Sequence, residues 1–254
     1  MSCNPAPTNT PPTHKSITDT AIANYDHALA LNPKYEAALV NLCVAHEKQV
    51  ALDKAVADYD EALKLEPKDA VAYNNRGNAL LKKGDYDRAI VDYDRAVRLD
   101  GKYVAAYFSR AIANEGKKRF DEAIADYGQV TKLQPQNAAA WNSRCWTRAI
   151  IGRLQDALGD CNEALKLKPD YINGLDSRGF VLLRMGRYAE SIADYDVALQ
   201  IEPNKVTSLY GRGMAKRRRG DYSSGNIDIA AAKGIKPNIP AEFSRYGLLP
   251  PPTD

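Results

Sequence analysis

Histidine and cysteine are scarce in this chain, three and four residues among 254. His14, His27 and His46 stand apart and none lies beside a nucleophile motif. No Gly-rich phosphate loop, HExxH or GxSxG occurs. The cysteines, Cys3, Cys43, Cys145 and Cys161, form no CxxC pair, which removes support for a zinc site or a redox motif. No apolar run approaches the about 20 residues that span a bilayer, and no apolar signal-type segment follows Met1. Neither sign of charge dominates: charged residues make up 26% and the formal net charge is +3, whereas nucleic-acid-binding domains are usually far more basic. These absences argue against an enzyme, a metal or organic cofactor, a nucleic-acid partner and a membrane protein. The expected location is the cytoplasm, or the periplasm if a signal peptide has been removed.

What the chain does have is a 34-residue period. It is clearest from Ala70 to Tyr103, where Tyr73, Gly77, Leu80, Ala89, Tyr93 and Ala96 mark the frame. The same spacing carries Tyr107, Ala111, Ala123, Tyr127 and Pro135, then Trp141, Cys145, Ala157, Cys161, Ala164 and Pro169. It continues through Leu175, Gly179, Tyr195, Ala198 and Pro203, and ends on Leu209, Gly213, Ile229, Ala232 and Pro237. Upstream, Leu39, Cys43, Ala55, Tyr59, Ala62 and Pro67 keep the register. A large residue, a small one four later, then alanine, aromatic, alanine and proline: the pattern resembles the tetratricopeptide repeat. The close likeness of the repeats, with Arg-Gly and Asp-Tyr frames recurring, is similar to bacterial members of that family more than to eukaryotic co-chaperones.

Six repeats fit the frame, at 36–69, 70–103, 104–137, 138–171, 172–205 and 206–237, preceded by a half repeat at 16–35. The resemblance implies an all-α fold, a right-handed α-solenoid of helix-turn-helix units in which each repeat buries its apolar face only against its neighbours. Residues 1–15, rich in proline and threonine, read as a disordered tail, as do residues 250–254. Within the second repeat the residues predict helices over Val71–Lys83 and Tyr86–Leu99. Gly84 ends the first in the left-handed conformation and Asp85 caps the next. Gly116, Gly152, Gly186 and Gly220 recur near the same point. Pro67, Pro135, Pro169, Pro203 and Pro237, with Gly101 in the second unit, stop the second helices. Residues 238–249 read as a short helix, proline at its start and glycine at its stop, whose Phe243, Tyr246 and Leu249 would cap the exposed end of the last repeat.

Two charged series share the period. Arg76, Arg110, Arg144, Arg178 and Arg212 hold one frame position, and Asp58, Asp92, Asp126, Asp160, Asp194 and Asp228 another. Buried arginine needs a partner and a carboxylate suits it in bidentate geometry, so a ladder of ion pairs is expected in preference to a charged binding strip. The frame leaves open whether each pair forms within a repeat or across to the next. Cys43, Cys145 and Cys161 occupy core positions and are expected to be buried reduced thiols; Cys145 and Cys161 lie on facing helices, which keeps a bridge between them open.

In the family it resembles, the first helix of each repeat lines a concave groove. Mapped residue by residue, the groove row here is Val40 and Val44, Asn74 and Asn78, Phe108 and Ile112, Asn142 and Trp146, Asp176 and Phe180, Tyr210 and Met214. Exposed aromatic and apolar groups clustered on one face mark interaction surfaces; packing against the opposite wall is the alternative. Arg184, Arg217 and Arg218, flanked by Lys216 and Arg219, would form a basic groove end, or simply a solvated basic helix end. The family's chaperone-tail clamp is not expected, since only Asn78 fits it and Val40, Val44, Phe108 and Ile112 do not. The function implied is a protein-protein interaction scaffold that binds an extended or helical peptide segment in its aromatic groove, with Asn74, Asn78 and Asn142 holding the ligand backbone. Self-association into a homo-oligomer is the alternative.

Overall fold

The computed structural model describes residues 14–48 and 52–248. Cys3, most of the N-terminal tail, Leu249 and the C-terminal tail lie outside them, as do the side chains of His14, Cys43 and His46. The described residues form fourteen α-helices and no strand. They divide into two compact units, Met1–Ala113 and Asn114–Asp254.

The first unit holds α1 (His14–Leu31), α2 (Glu36–Lys48), α3 (Leu52–Leu65), α4 (Ala70–Lys82), α5 (Tyr86–Leu99) and most of α6 (Val104–Gly116), with α1 to α4 each packing on the next in sequence. Helix α1 starts at His14, inside the stretch expected to be a structureless tail. The second unit holds α7 (Phe120–Leu133), α8 (Ala138–Ile150), α9 (Leu154–Leu167), α10 (Ile172–Arg184), α11 (Tyr188–Ile201), α12 (Val206–Arg219), α13 (Tyr222–Ile235) and α14 (Ile239–Arg245). Here too neighbours in sequence pack together. In addition α8 contacts α10 and α10 contacts α12, so the first helices of successive repeats form one wall.

Local chemistry sets the breaks. Gly84, Gly152, Gly186 and Gly220 have φ of 79°, 84°, 77° and 99°, the left-handed region that glycine enters without Cβ strain. In the third repeat Gly116 stays helical and the left-handed residue is Lys118, φ 59°; Gly116 is out of register and Lys118 sits where the other repeats place glycine. Asp69, Asp85, Asn137 and Asp221 cap helix starts by accepting backbone N–H bonds. The second helices end two residues before Pro67, Pro135, Pro169, Pro203 and Pro237.

Large and small residues alternate across each helix pair. Tyr59, Tyr93, Tyr127 and Tyr195 are fully buried. A Cβ on Gly77 would lie 2.7 Å from the Tyr93 ring, and one on Gly179 2.9 Å from that of Tyr195, so the tyrosine requires the small partner. In the fourth repeat the tyrosine is replaced by Cys161, and a disulfide to Cys145 spans the same gap, Cα to Cα 5.4 Å. The expectation of reduced thiols is therefore overturned by the pairing that the facing positions had left open.

The arginine series forms its ladder in both directions. Arg76 binds Asp92 of its own repeat through Nε (2.8 Å) and Nη2 (2.6 Å), and Asp60 of the preceding repeat through Nη1 (2.6 Å). Arg212 does the same with Asp228 and Asp196. Arg178 takes Asp194 and the side-chain Oδ1 of Asn162, and Arg144 takes Asp160 and the Thr131 hydroxyl. Arg110 reaches back to Asp94 at 2.6 Å. Arg76, Arg110 and Arg144 also lie over the rings of Tyr73, Tyr107 and Trp141, at 5.6, 5.4 and 4.7 Å, a favourable cation–π placement.

Candidate functional site

In the first unit the mapped row is partly committed to the fold. Asn74 is buried, and its Nδ2 donates to Asn75 at 3.3 Å. Asn78 accepts from the Tyr93 hydroxyl at 2.8 Å, so its carbonyl serves the core instead of a ligand backbone. Val40 and Phe108 are half-buried, whereas Val44 and Ile112 are exposed.

In the second unit the row meets α14. Proline at its second position, buried Ile239 and the turn at Gly247 start and stop this short helix. Instead of covering only the end of the last repeat, it lies against the first-helix wall. Tyr246 stacks edge-on against Trp146, centroids 5.0 Å apart, and Phe243 against Tyr210 at 4.8 Å and Phe180 at 5.9 Å. Phe180, Tyr210 and Met214 are therefore core residues, each no more than 2% exposed, which corrects their expected exposure. Trp146 remains half-buried, 5.0 Å from the Phe180 ring.

The basic residues do not gather into one groove end. Arg184 donates to the Ala149 carbonyl and lies 5.9 Å from the Phe180 centroid; burial lowers its pKa. Arg217 turns toward α13, where it donates to Asn226 at 2.9 Å and covers the Tyr222 ring. Lys216 pairs with Asp228 at 2.9 Å, and Arg218 is exposed.

Between α10, α12 and α14 a cavity of about 270 Å³ remains. Its apolar wall is Trp146, Phe180, Phe243 and Tyr246; its polar side includes Asn142, Asp176, Tyr195 and Thr207. Asp176 is half-buried and accepts from the Ser208 hydroxyl at 2.6 Å. Burial pushes its carboxyl above the usual carboxylate range, and the hydroxyls of Ser208 and Thr207 and the charge of Lys205 offset part of that shift. Oδ1 of Asn142 and the hydroxyl of Tyr195 are buried and have no hydrogen-bond partner among the described residues. Of the mapped residues, Asn142, Trp146, Asp176 and Phe180 thus meet at one place. Tyr195, on a second helix, was outside the mapped row.

Comparison with known proteins agrees with this architecture. Tetratricopeptide repeat family models match residues 70–103 and 116–172, and a TPR repeat model matches 51–84. No curated protein matches the sequence. Among solved structures, a tetratricopeptide repeat protein from Parabacteroides merdae ATCC 43184 is 17% identical, with 91% of each chain covered and a TM-score of 0.68. YrrB, a TPR protein with an unusual peptide-binding site, is 18% identical, with 75% of this chain and 98% of that one covered and a TM-score of 0.60. MamA is 20% identical, with 72% and 98% covered and a TM-score of 0.59. At these identities the structural likeness speaks for the fold alone, but joined to the family models and to a frame that builds every helix pair, it makes this chain a tetratricopeptide repeat protein.

Proposed function

We propose that the chain is a protein-protein interaction scaffold whose first-helix wall receives an extended or helical segment of a partner. The observation that carries this reading is α14 itself. A short helix sits on α8, α10 and α12 through two aromatic side chains, the way helix-in-groove recognition works between chains. Half-buried Trp146 beside it offers further apolar contact area of the kind that anchors partners. Arg-Asp pairing, by contrast, is consumed within the fold.

The test is capture from the source organism's lysate by the wild type and by Trp146→Ala, both checked for helicity. A protein retained by the wild type and lost by the variant supports the reading. Equal capture by both moves binding off this wall. Absence of specific capture, with a mass that rises with concentration in light scattering, favours self-association instead. The Cys145–Cys161 bridge also bears on location: disulfides persist in oxidising compartments, so we place the protein in the periplasmic alternative. Finding both thiols alkylatable in protein taken directly from cells would reject that location.

A further inference from the structure

We infer that the cavity between α10, α12 and α14 binds a cationic nitrogen, an alkylammonium group carried by a small molecule or by a lysine side chain. The inference rests on the reading of this wall as the recognition surface and adds what the wall recognises.

The repeat register shows why the cavity is special. In the second repeat the Tyr93 hydroxyl donates to Asn78, fifteen residues upstream. In the third, Tyr127 bonds Glu115, twelve residues upstream, and Ser143, sixteen downstream. For Tyr195 the residues at those three offsets are Phe180, Leu183 and Gly211. None has a side chain that can accept or donate. The Tyr195 hydroxyl, on a residue 1% exposed, is thereby left without a partner on the cavity wall. Gly211 also supplies the room: a Cβ there would fall 2.3 Å from that oxygen.

The groups around the hydroxyl are acceptors. Oδ1 of Asn142 is buried and unpartnered, and Asp176 makes no ion pair among the described residues. Other charges nearby are engaged. Glu242 on the rim is bound by Lys236 at 2.8 Å, Lys205 donates to Asn173 at 3.3 Å, and Arg184 lies off the cavity on the Ala149 carbonyl. An ammonium has three donors and no acceptor, which matches a carboxylate, an amide oxygen and a phenol oxygen. The rings of Trp146 and Tyr246 complete a wall of the kind that attracts cations through the ring quadrupole. An anion would meet Asp176, and an uncharged apolar group would leave the buried Asn142 and Tyr195 oxygens unpaired.

The full-length protein is titrated calorimetrically with n-butylammonium chloride, with 1-butanol as the uncharged isostere, and with the peptide acetyl-Gly-Lys-Gly-amide, all at matched ionic strength. Butylammonium is expected to bind with a dissociation constant on the order of 1 mM, reasonable for so few atoms, and to perturb Trp146 fluorescence. Butanol should bind at least about tenfold more weakly, Asp176→Asn should lose at least about tenfold, and Tyr195→Phe about threefold, given the strength of charge-assisted bonds. Tighter binding of the peptide than of butylammonium identifies a partner's lysine; weaker binding identifies a free amine. No saturable binding of either, equal binding of butanol, or retained affinity in both variants with native helicity overturns the inference. Partner capture that depends on Trp146 without any amine binding would sink this inference alone, and amine binding without partner capture would sink the scaffold reading alone.

Discussion

Asp160 is the rung of the arginine ladder whose loss should be felt most. Its carboxylate is 5% exposed and accepts from Arg144 Nε at 2.9 Å, Arg144 Nη2 at 2.7 Å and Arg148 Nη1 at 2.6 Å. The two guanidinium groups are themselves only 14% and 21% exposed. In Asp160→Ala, Arg148 loses this carboxylate and Arg144 keeps only the Thr131 hydroxyl, so buried positive charge is stranded at a cost of about 3–5 kcal/mol. For a chain of this size that is roughly 6–20 °C in Tm. Asp196 is the control: it is 47% exposed, and Arg212 keeps its bidentate bond to Asp228 without it. Asp196→Ala should therefore cost about 0–1 kcal/mol. Thermal unfolding followed by circular dichroism, without reductant, measures both. A third variant, Asp160→Leu with Arg144→Met and Arg148→Met, removes the stranded charge and should recover most of the loss, as apolar replacement of buried ion networks does elsewhere. Equal shifts for Asp160→Ala and Asp196→Ala, or no recovery in the triple variant, would refute the ladder as the source of stability.

Asp176→Asn should raise the melting temperature at pH 7: burial raises the folded-state pKa of Asp176, so its contribution is favourable only below the unfolded pKa and is lost as pH rises through the folded value. The gain should vanish near pH 4, where the unfolded carboxyl also protonates, and an equal gain at both pH values would contradict the sign. Reducing Cys145–Cys161, which are 16 residues apart, should cost about 3 kcal/mol; a melting curve unchanged by a phosphine reductant would show the bridge to be irrelevant. Phe243→Ala, in a site 5% exposed between Phe180 and Tyr210, should cost about 3–5 kcal/mol and red-shift Trp146 emission as α14 loosens; unaltered emission would mean that α14 is not anchored there.

The helices and their ends were legible because each rests on local chemistry. Gly84, Gly152, Gly186 and Gly220 turn left-handed where the spacing put them, and Gly116 failed only because it sits two residues out of register. The inner carboxylates of the ladder were legible from their period. Asp60, Asp94 and Asp196 were not, since their positions look like solvated helix surface until the next repeat's arginine reaches back. The candidate site was half legible. Asn142, Trp146, Asp176 and Phe180 converge, but the family frame could not say that a seven-residue helix beyond the last repeat would cover Phe180 and Tyr210. That depends on where the chain folds after its last repeat, a tertiary choice with no periodic signal. Nor could spacing decide the state of Cys145 and Cys161, because the same two positions serve equally as packed thiols or as a bridge.

A repeat protein offers its own controls, and they bear on where function lies. Each frame position is sampled several times in one chain, so a side chain kept in every repeat is accounted for by packing, and a departure asks for a reason. Tyr93 and Tyr127 have polar partners at offsets where Tyr195 has Phe180, Leu183 and Gly211. The frame position of Asp176 is filled differently along the chain, by Val40, Asn74, Phe108, Asn142 and Tyr210, and only the fifth repeat puts there a carboxylate, one that burial disfavours. Both departures cost stability, the first by leaving a hydroxyl unpaired and the second by desolvating charge. Both face the same cavity. An unpaired hydroxyl and a carboxyl that burial disfavours, meeting at one hollow, are what a site maintained for a ligand looks like.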